Sequence, residues 1–371
     1  MNRFKKKINA FRELDGKGKR RRVGDMFVNN SLYIFMILFI IYIQLQTPTF
    51  LSLPSIVNVL TLSAANIPIA LGVAGTIVLT GTDLSAGRIV GLTAVIAASL
   101  AQPLAAATKM FPGLQPLPLP VLLLITMVVG GIVGFINGFS VSKFDMHPFI
   151  VTLATQLIVY GFLLMYLNFG TGNGQAISGL GDYYKDFING STFRIAGYPI
   201  PNLVLYSLVI IAVVWVIWNK TKFGKNMFAV GSNKEAAEVS GVNVVLTIIG
   251  VFVLAGMLYG YTGFVEAARI GSNSASTGLN YESDAIAAAV IGGVSFTGGV
   301  GTVGGVIVGV VLLRLIFVGL TSLGVDPNLQ YIIKGLIILV AVAIDMRKYM
   351  KKIPTPTIIK RQTTIHKTRK I

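Results

Sequence analysis

LVLYSLVIIAVVWVIW, from Leu203 to Trp218, decides the fold. The run carries no charge and does not alternate apolar with polar residues. A transmembrane barrel strand would alternate over about ten residues, whereas a membrane-crossing helix needs roughly 20 mostly apolar residues in a row. Comparable runs recur on both sides of it. Residues 28–47, 56–79, 86–108, 119–142 and 149–168 form a first set, and 201–218, 244–264, 285–297, 300–321 and 329–346 a second. The expectation is an all-α membrane protein of about ten transmembrane helices, because only helices or closed barrels satisfy their backbone polar groups in lipid. The eighth run is too short to cross alone. Glycines between Ile291 and Gly305 make the eighth and ninth runs two arms of a broken or re-entrant element.

Composition agrees. The 371 residues are 54% hydrophobic and 12% charged, about half the charged share of a soluble domain. The net charge of +17, from 31 Lys and Arg against 14 Asp and Glu, would in a soluble protein point to nucleic acid. Its distribution points elsewhere: the basic residues cluster in an arm over 1–27, in a tail over 347–371 and between Trp218 and Gly241. Flanking clusters of Lys and Arg mark the cytoplasmic side of apolar spans. Ten crossings put both termini and the 219–243 loop in the cytoplasm, and 169–200 becomes an extracytoplasmic loop large enough for a small cap. The body of the protein is then 28–346. Anionic lipid is the partner that suits both basic arms; nucleic acid is not expected. The chain has no cysteine, which excludes disulfides and thiolate metal sites. The first apolar run leads into further spans without a persuasive cleavage site, so it reads as a retained helix.

A weak internal echo lays VLTGTDLSAGRIVGLTAVIAASL from Val78 over VIGGVSFTGGVGTVGGVIVGVVL from Val290, with Ser85 on Thr297 and Gly87 on Gly299. Five crossings per half would make the copies inverted repeats, the arrangement in which broken helices meet at a transport path. Two helices rich in small residues also match by composition alone.

The polar stretch Thr80 to Arg88 separates two apolar runs. It reads either as a break lining the route of a polar solute or as a cytoplasmic turn in which Asp83 and Ser85 supply helix caps; the residues alone favour the turn. In the central loop, Ser232 and Glu235 match a capping box and Gly241 a helix stop. A helix of two turns is marginal by itself. It needs a docking surface, for which the small pair Ala236 and Ala237 leaves room, or it rests on the body of the protein. Gly130, Gly134 and Gly138, and Gly301, Gly305 and Gly309, recur every fourth residue and permit close helix packing in lipid. Gly299, Gly301 and Gly304 spell GxGxxG without the preceding strand or following acid of a nucleotide fingerprint, and no phosphate loop is present. Charges at Asp145, His147, Glu266, Arg269, Glu282 and Asp284 fall at expected helix ends or in an external loop. Arg314 lies deeper and reads as a structural pair or a snorkelling side chain. A proton-coupled carrier would bury such charges as a relay, and no enzyme constellation is apparent. Polarity within apolar spans nominates Asn66, Thr152, Gln156 and Ser295 for a path.

Four stretches in order, GVAGTIVLTGTDLSAGRIVGL, KFDMHPFIVTLATQLIVYG, WNKTKFGKNMFAVGSNKEAAEVSGVNV and YESDAIAAAVIGGVSFTGGVGTVGG, resemble the ribose/xylose/galactose ABC permeases over about residues 30 to 350. GTDLSAGR and YIIKG (Tyr331 to Gly335) are most similar to the galactose/methyl-galactoside branch. Branched-chain amino-acid permeases share the general pattern. The resemblance implies a homodimer in the bacterial plasma membrane, a cytoplasmic ATPase that uses ATP and magnesium, and an extracytoplasmic sugar-binding protein. The permease itself would bind no cofactor and catalyse no covalent reaction. Carried onto this chain, the resemblance makes Ser232, Asn233, Lys234, Glu235, Ala236, Ala237, Glu238, Val239, Ser240 and Gly241 the coupling element that docks on the ATPase, and gives Asp83 and Ser85 a part in shaping the path. The arm and the tail after Lys352 fall outside the shared pattern.

Overall fold

The computed structural model describes residues 31–350; the basic arm and the tail beyond Met350 lie outside them. In chain order the described residues form α1 (Ser31–Gln46), α2 (Leu53–Val78), α3 (Ala86–Leu100), α4 (Leu119–Lys143), α5 (Pro148–Leu167), α6 (Asp182–Asn189), β1 (Phe193–Ile195), β2 (Tyr198–Ile200), α7 (Asn202–Lys220), α8 (Lys222–Ser232), α9 (Lys234–Val239), α10 (Val244–Ile270), α11 (Tyr281–Ile291), α12 (Val303–Ser322) and α13 (Pro327–Met350). Each expected apolar run overlaps one of these helices. Six of them, α2, α4, α5, α7, α10 and α12, are long and apolar enough to cross a membrane.

The helices sort by burial. α2 from Ser63 to Val78 and α10 from Leu258 to Ala268 are buried on almost every side, so they form the centre. α4, α5 and α7 surround them and turn large apolar residues outward, with Leu157 67% and Val209 60% exposed. A water-soluble protein does not carry so large an apolar surface; lipid is the solvent that fits it.

Glycines set the closest approach. Gly130 and Gly134 of α4 face Gly256 and Phe252 of α10 so tightly that a Cβ on either would overlap the opposite carbonyl oxygen. Gly305 and Gly309 bring α12 equally close to Gly292 and Ala288. Packing of this kind is what drives helix association where lipid removes the hydrophobic advantage.

Two expected boundaries are corrected. The third run, expected to 108, stops at Leu100, because Pro103 biases the preceding residue away from helix and more prolines follow at 112, 116 and 118. The eighth run also shifts: expected over 285–297, it is the short helix Tyr281–Ile291, joined to α12 by the Gly292–Thr302 connection of a tight hairpin. It is preceded by a non-helical stretch: after Gly271, a left-handed C-cap at φ 76°, the chain turns back along α3. There the carbonyl of Thr277 lies against Gly91 and that of Gly278 against Gly87. Gly87 sits thirteen residues before the end of α3, about 20 Å at 1.5 Å per residue.

The 169–200 connection folds into α6 and the β1–β2 hairpin, paired Phe193↔Ile200, Arg194↔Pro199 and Ile195↔Tyr198. Ala196 and Gly197 turn it, both with positive φ, as a two-residue hairpin turn requires. Tyr184 and Ile188 of α6 are fully buried. The Tyr184 hydroxyl donates to the Phe264 carbonyl, and Asn189 Nδ2 donates to the Ala268 carbonyl at 3.0 Å. α6 thus seats on the end of α10 opposite α9.

Candidate functional site

At the α9 end, two interruptions of the helices meet. The Gly299 N–H donates to the carbonyl of Val78, the last residue of α2, at 2.8 Å. Gly231, near the end of α8, presses on the same carbonyl, and Gly298 lies against both Thr80 and Gly231. Glycine is needed at 298 and 299 for a second reason, since both have positive φ.

The 219–243 loop differs from the single capped helix expected over 232–241. Thr221 caps α8 through a 3.1 Å bond from the Gly224 N–H, and Ser232 ends α8, its Oγ donating to the Phe228 carbonyl. Asn233, in extended backbone, redirects the chain and caps α9, accepting from the Ala236 N–H at 2.7 Å. The Ser232–Glu235 capping box is therefore not used. Ala237, 4% exposed, packs among Val141, Val151, Val230, Val244, Ile248 and Phe252. Ser232, Asn233, Lys234, Glu235, Ala236, Glu238, Ser240 and Gly241 are exposed, and Val239 is 91% exposed. The alanine pair is divided: one holds α9 to the body, the other faces out. Lys234 Nζ reaches Asp145 Oδ1 at 2.7 Å. The hydrogen bond and then the charge of Lys234 hold the Asp145 carboxyl below its usual range.

From this junction a polar chain runs inward. Ser85 donates from both N–H (3.0 Å) and Oγ (2.6 Å) to Asp83 Oδ1. Asn137 Nδ2 of α4 donates to Ser85 Oγ at 3.0 Å, and Thr155 Oγ1 of α5 donates to Asn137 Oδ1 at 2.6 Å. Thr152 clasps the same segment, donating to the Thr82 carbonyl at 2.9 Å and accepting from the Leu84 N–H at 3.1 Å. Asp83, Ser85, Asn137 and Thr152 are all buried. Ser85 stands at the start of α3 but its side chain makes no cap bond; the Asp83–Ser85 turn binds itself and α4 instead. Asp83 Oδ2 and the Tyr259 hydroxyl of α10 are both buried and interact with each other, with no third group within hydrogen-bond distance of either.

The remaining nominated residues lie apart. Asn66 of α2 donates to the Leu62 carbonyl and accepts from Arg314 Nη2 of α12 at 2.7 Å. Arg314 also pairs with Asp284 of α11 at 3.2 Å, and Lys334 of α13 reaches the other oxygen of Asp284 at 2.6 Å. Glu266 is likewise buried, held by Arg269 at 2.7 Å and by the Tyr281 hydroxyl at 3.1 Å. Glu266 and Asp284 thus belong to helices α10 and α11, not to an external loop. Ser295 is buried in the α11–α12 connection beside Thr297, 3.0 Å away, and Gln156 is half-buried on α5. Sequence reasoning missed Asn137, Thr155 and Tyr259; the available signal was an asparagine between Gly134 and Gly138 in an otherwise apolar helix. Among the described residues, no three His, Asp or Glu side chains are grouped to hold a metal.

A family model described as "branched-chain amino acid transport system / permease component" matches residues 55–342. The chain is 48% identical over 322 residues to the galactose/methyl galactoside import permease protein of Escherichia coli (strain K12), covering 87% of this chain and 95% of that one. It is 45% identical over 328 residues to the protein of the same name in Haemophilus influenzae, covering 88% and 97%. To the ribose import permease protein of H. influenzae it is 31% identical over 334 residues, covering 90% and 97%. No solved structure matches. By that span and those identities, this chain belongs to the transport-system permease-component family that the model describes.

Proposed function

We propose that this chain is the membrane subunit of an ATP-driven importer of galactose or methyl galactosides. The observation that carries the substrate is the contrast in identity: 45–48% to the galactose permeases against 31% to the ribose permease. Ten crossings then place both termini and α9 in the cytoplasm, with α6 and the β1–β2 hairpin outside. The importer is a homodimer in the plasma membrane, served by a cytoplasmic ATPase and an external sugar-binding protein, and the basic arms lie on anionic lipid. α9 is the docking element, with Val239 and Ala236 toward the ATPase and Ala237 anchoring it to the body. Next to α9, Gly231 and Gly299 touch the end of α2, so a shift of α9 is passed to the Thr80–Ser85 break and through Thr152 and Thr155 to α5. Asp83 and Ser85, fully buried, shape the path by holding that break; they do not face sugar in this conformation.

The chain also reads as two inverted halves, but not in the register of Ser85 on Thr297, because those two breaks lie side by side at one end. A register with Thr80 on Gly271 and Gly87 on Gly278 is supported by mutual contact. A Cβ on either Gly87 or Gly278 would strike the carbonyl of the other, as expected of two positions near a two-fold axis.

Reconstitution with the partner ATPase and binding protein tests the function. D-galactose accumulation should require ATP, and Val239→Arg and Ala236→Arg should abolish it while the permease remains in the membrane. Accumulation without an ATPase would point to an ion-coupled carrier, and accumulation of leucine in place of galactose to an amino-acid permease.

A further inference from the structure

Among the described side chains, four cations of the apolar helices are half-buried: Arg88, Arg269, Arg314 and Lys334. Three of them hold a carboxylate. Arg88 does not. Its Nη1 donates to the Ala275 carbonyl at 3.1 Å, and its guanidinium lies over the Tyr160 ring of α5, 4.1 Å from the centroid. Both side chains are half-buried, so both are reached from outside the chain. The nearby Glu282 carboxylate acts on Arg88 only through space, without an ion pair, and an arginine so placed at membrane depth is costly in lipid and is a functional-site candidate by default.

The neighbouring segment says the same. Between Gly271 and Tyr281 the backbone is non-helical while its Thr277 and Gly278 carbonyls lie on the first two turns of α3, at Gly91 and Gly87. Irregular backbone at membrane depth is tolerated only inside protein or along water. Thr277 and Gly278 are buried, but Ser276 is exposed and Asn280 half-buried. The outward face of α4 is apolar, as at Val128, Ile132 and Phe135. Here Ser276 and Asn280 stand outward beside Leu279, 46% exposed, and this mixed face differs from the wholly apolar one that lipid covers.

We propose that Arg88 and Tyr160, with Ser276 and Asn280, form a contact station for a hydroxylated, uncharged solute on its way through the permease. The guanidinium presents a planar fork of donors to neighbouring hydroxyls, and Tyr160 holds that fork in place. No carboxylate is paired directly with the fork, Glu282 acting on it only through space, so its donors stay open to hydroxyls and the contact is weak enough to release cargo. The identity of the solute rests on the function proposed above; the existence of the station does not.

The test uses the complete transporter, permease with ATPase and binding protein, in lipid vesicles. The natural chain has no cysteine, so Ser276→Cys, Asn280→Cys and Ile132→Cys each introduce a single thiol. A permanently charged methanethiosulfonate reagent should modify the first two but not Ile132→Cys. D-galactose present during ATP turnover should slow modification of Asn280→Cys several-fold. Arg88→Gln should lower D-galactose uptake about tenfold, about 1.4 kcal/mol of barrier, while the complex still co-purifies; Arg88→Lys, which lacks the fork, should behave likewise. If neither Ser276→Cys nor Asn280→Cys reacts, with or without ATP, this face lies against lipid or protein and the proposal is overturned. Reaction that D-galactose leaves unchanged, or uptake by Arg88→Gln at the parental rate, equally refutes solute contact. Should the parental vesicles accumulate no D-galactose, the substrate assignment fails, and thiol accessibility still decides whether the route is here.

Discussion

Removing Asp284 should unfold the protein more readily than any other single truncation of a polar side chain described above. One carboxylate serves two cations from two other helices: Arg314 of α12 at 3.2 Å and Lys334 of α13 at 2.6 Å, all three side chains less than a fifth exposed. Asp284→Ala leaves Arg314 with no paired carboxylate and Lys334 with only the more distant Glu282. Breaking a buried pair in this way costs about 3–5 kcal/mol. The lower end applies, because Arg314 keeps its 2.7 Å bond to Asn66 and Lys334 keeps the Phe317 and Tyr331 rings at 5.1 and 5.4 Å. The expected loss is therefore about 3 kcal/mol, read as the shift of the unfolding midpoint in a denaturant titration of the detergent-solubilised protein. The triple variant Asp284→Leu, Arg314→Leu, Lys334→Leu should recover most of it, since well-packed apolar groups can replace buried ion pairs without loss. A cost below about 1 kcal/mol for Asp284→Ala would mean that water already solvates these cations, and a triple variant less stable than Asp284→Ala would show that the loss is one of packing.

Other sites give sharper, smaller tests. Gly256→Val should drive α4 from α10 and lower stability by about 3 kcal/mol or more, beyond ordinary overpacking, because the obstacle is the Gly130 carbonyl and not a movable side chain; a thermal melt in detergent reads it. Thr152→Val removes one hydroxyl that both donates and accepts, leaving the Leu84 N–H and Thr82 carbonyl unpaired, about 1–3 kcal/mol; ATP hydrolysed per sugar moved should also rise if Thr152 passes motion to α5, and an unchanged ratio would remove it from that route. Asp83→Asn keeps an acceptor for both Ser85 donors and should retain uptake better than Asp83→Ala. Because Lys234 depresses the Asp145 pKa, its clamp on α9 is complete above the unfolded carboxyl value, about 3.9, and is lost as pH falls through the lower folded value. A carbon-13 titration of the Asp145 carboxyl should give a midpoint below that of the Lys234→Met variant.

What the sequence made legible and what it hid separate along physical lines. Lipid as solvent imposes a one-dimensional demand, about 20 apolar residues per crossing, so helix positions could be read from runs such as Leu203 to Trp218. The four-residue glycine spacing was legible for the same reason, since a helix maps sequence period directly onto one face. Polar partners obey no such period. Nothing local joins Asn66 to Arg314, 248 positions away, or Ser85 to Asn137, 52 away, and a residue chosen for a solute path by its polarity can equally be consumed by a partner, as Asn66 is. The non-helical stretch before α11 was missed for a related reason: Gly292 to Gly305 has the richer glycine content, but its glycines serve close helix packing and a turn. The segment from Gly271 to Asn280 packs along α3 because Gly87 and Gly91 on that helix admit its backbone. That packing is thus written in the receiving helix, where a Cβ at either position would close the groove, and a reading confined to the packed segment has no access to it.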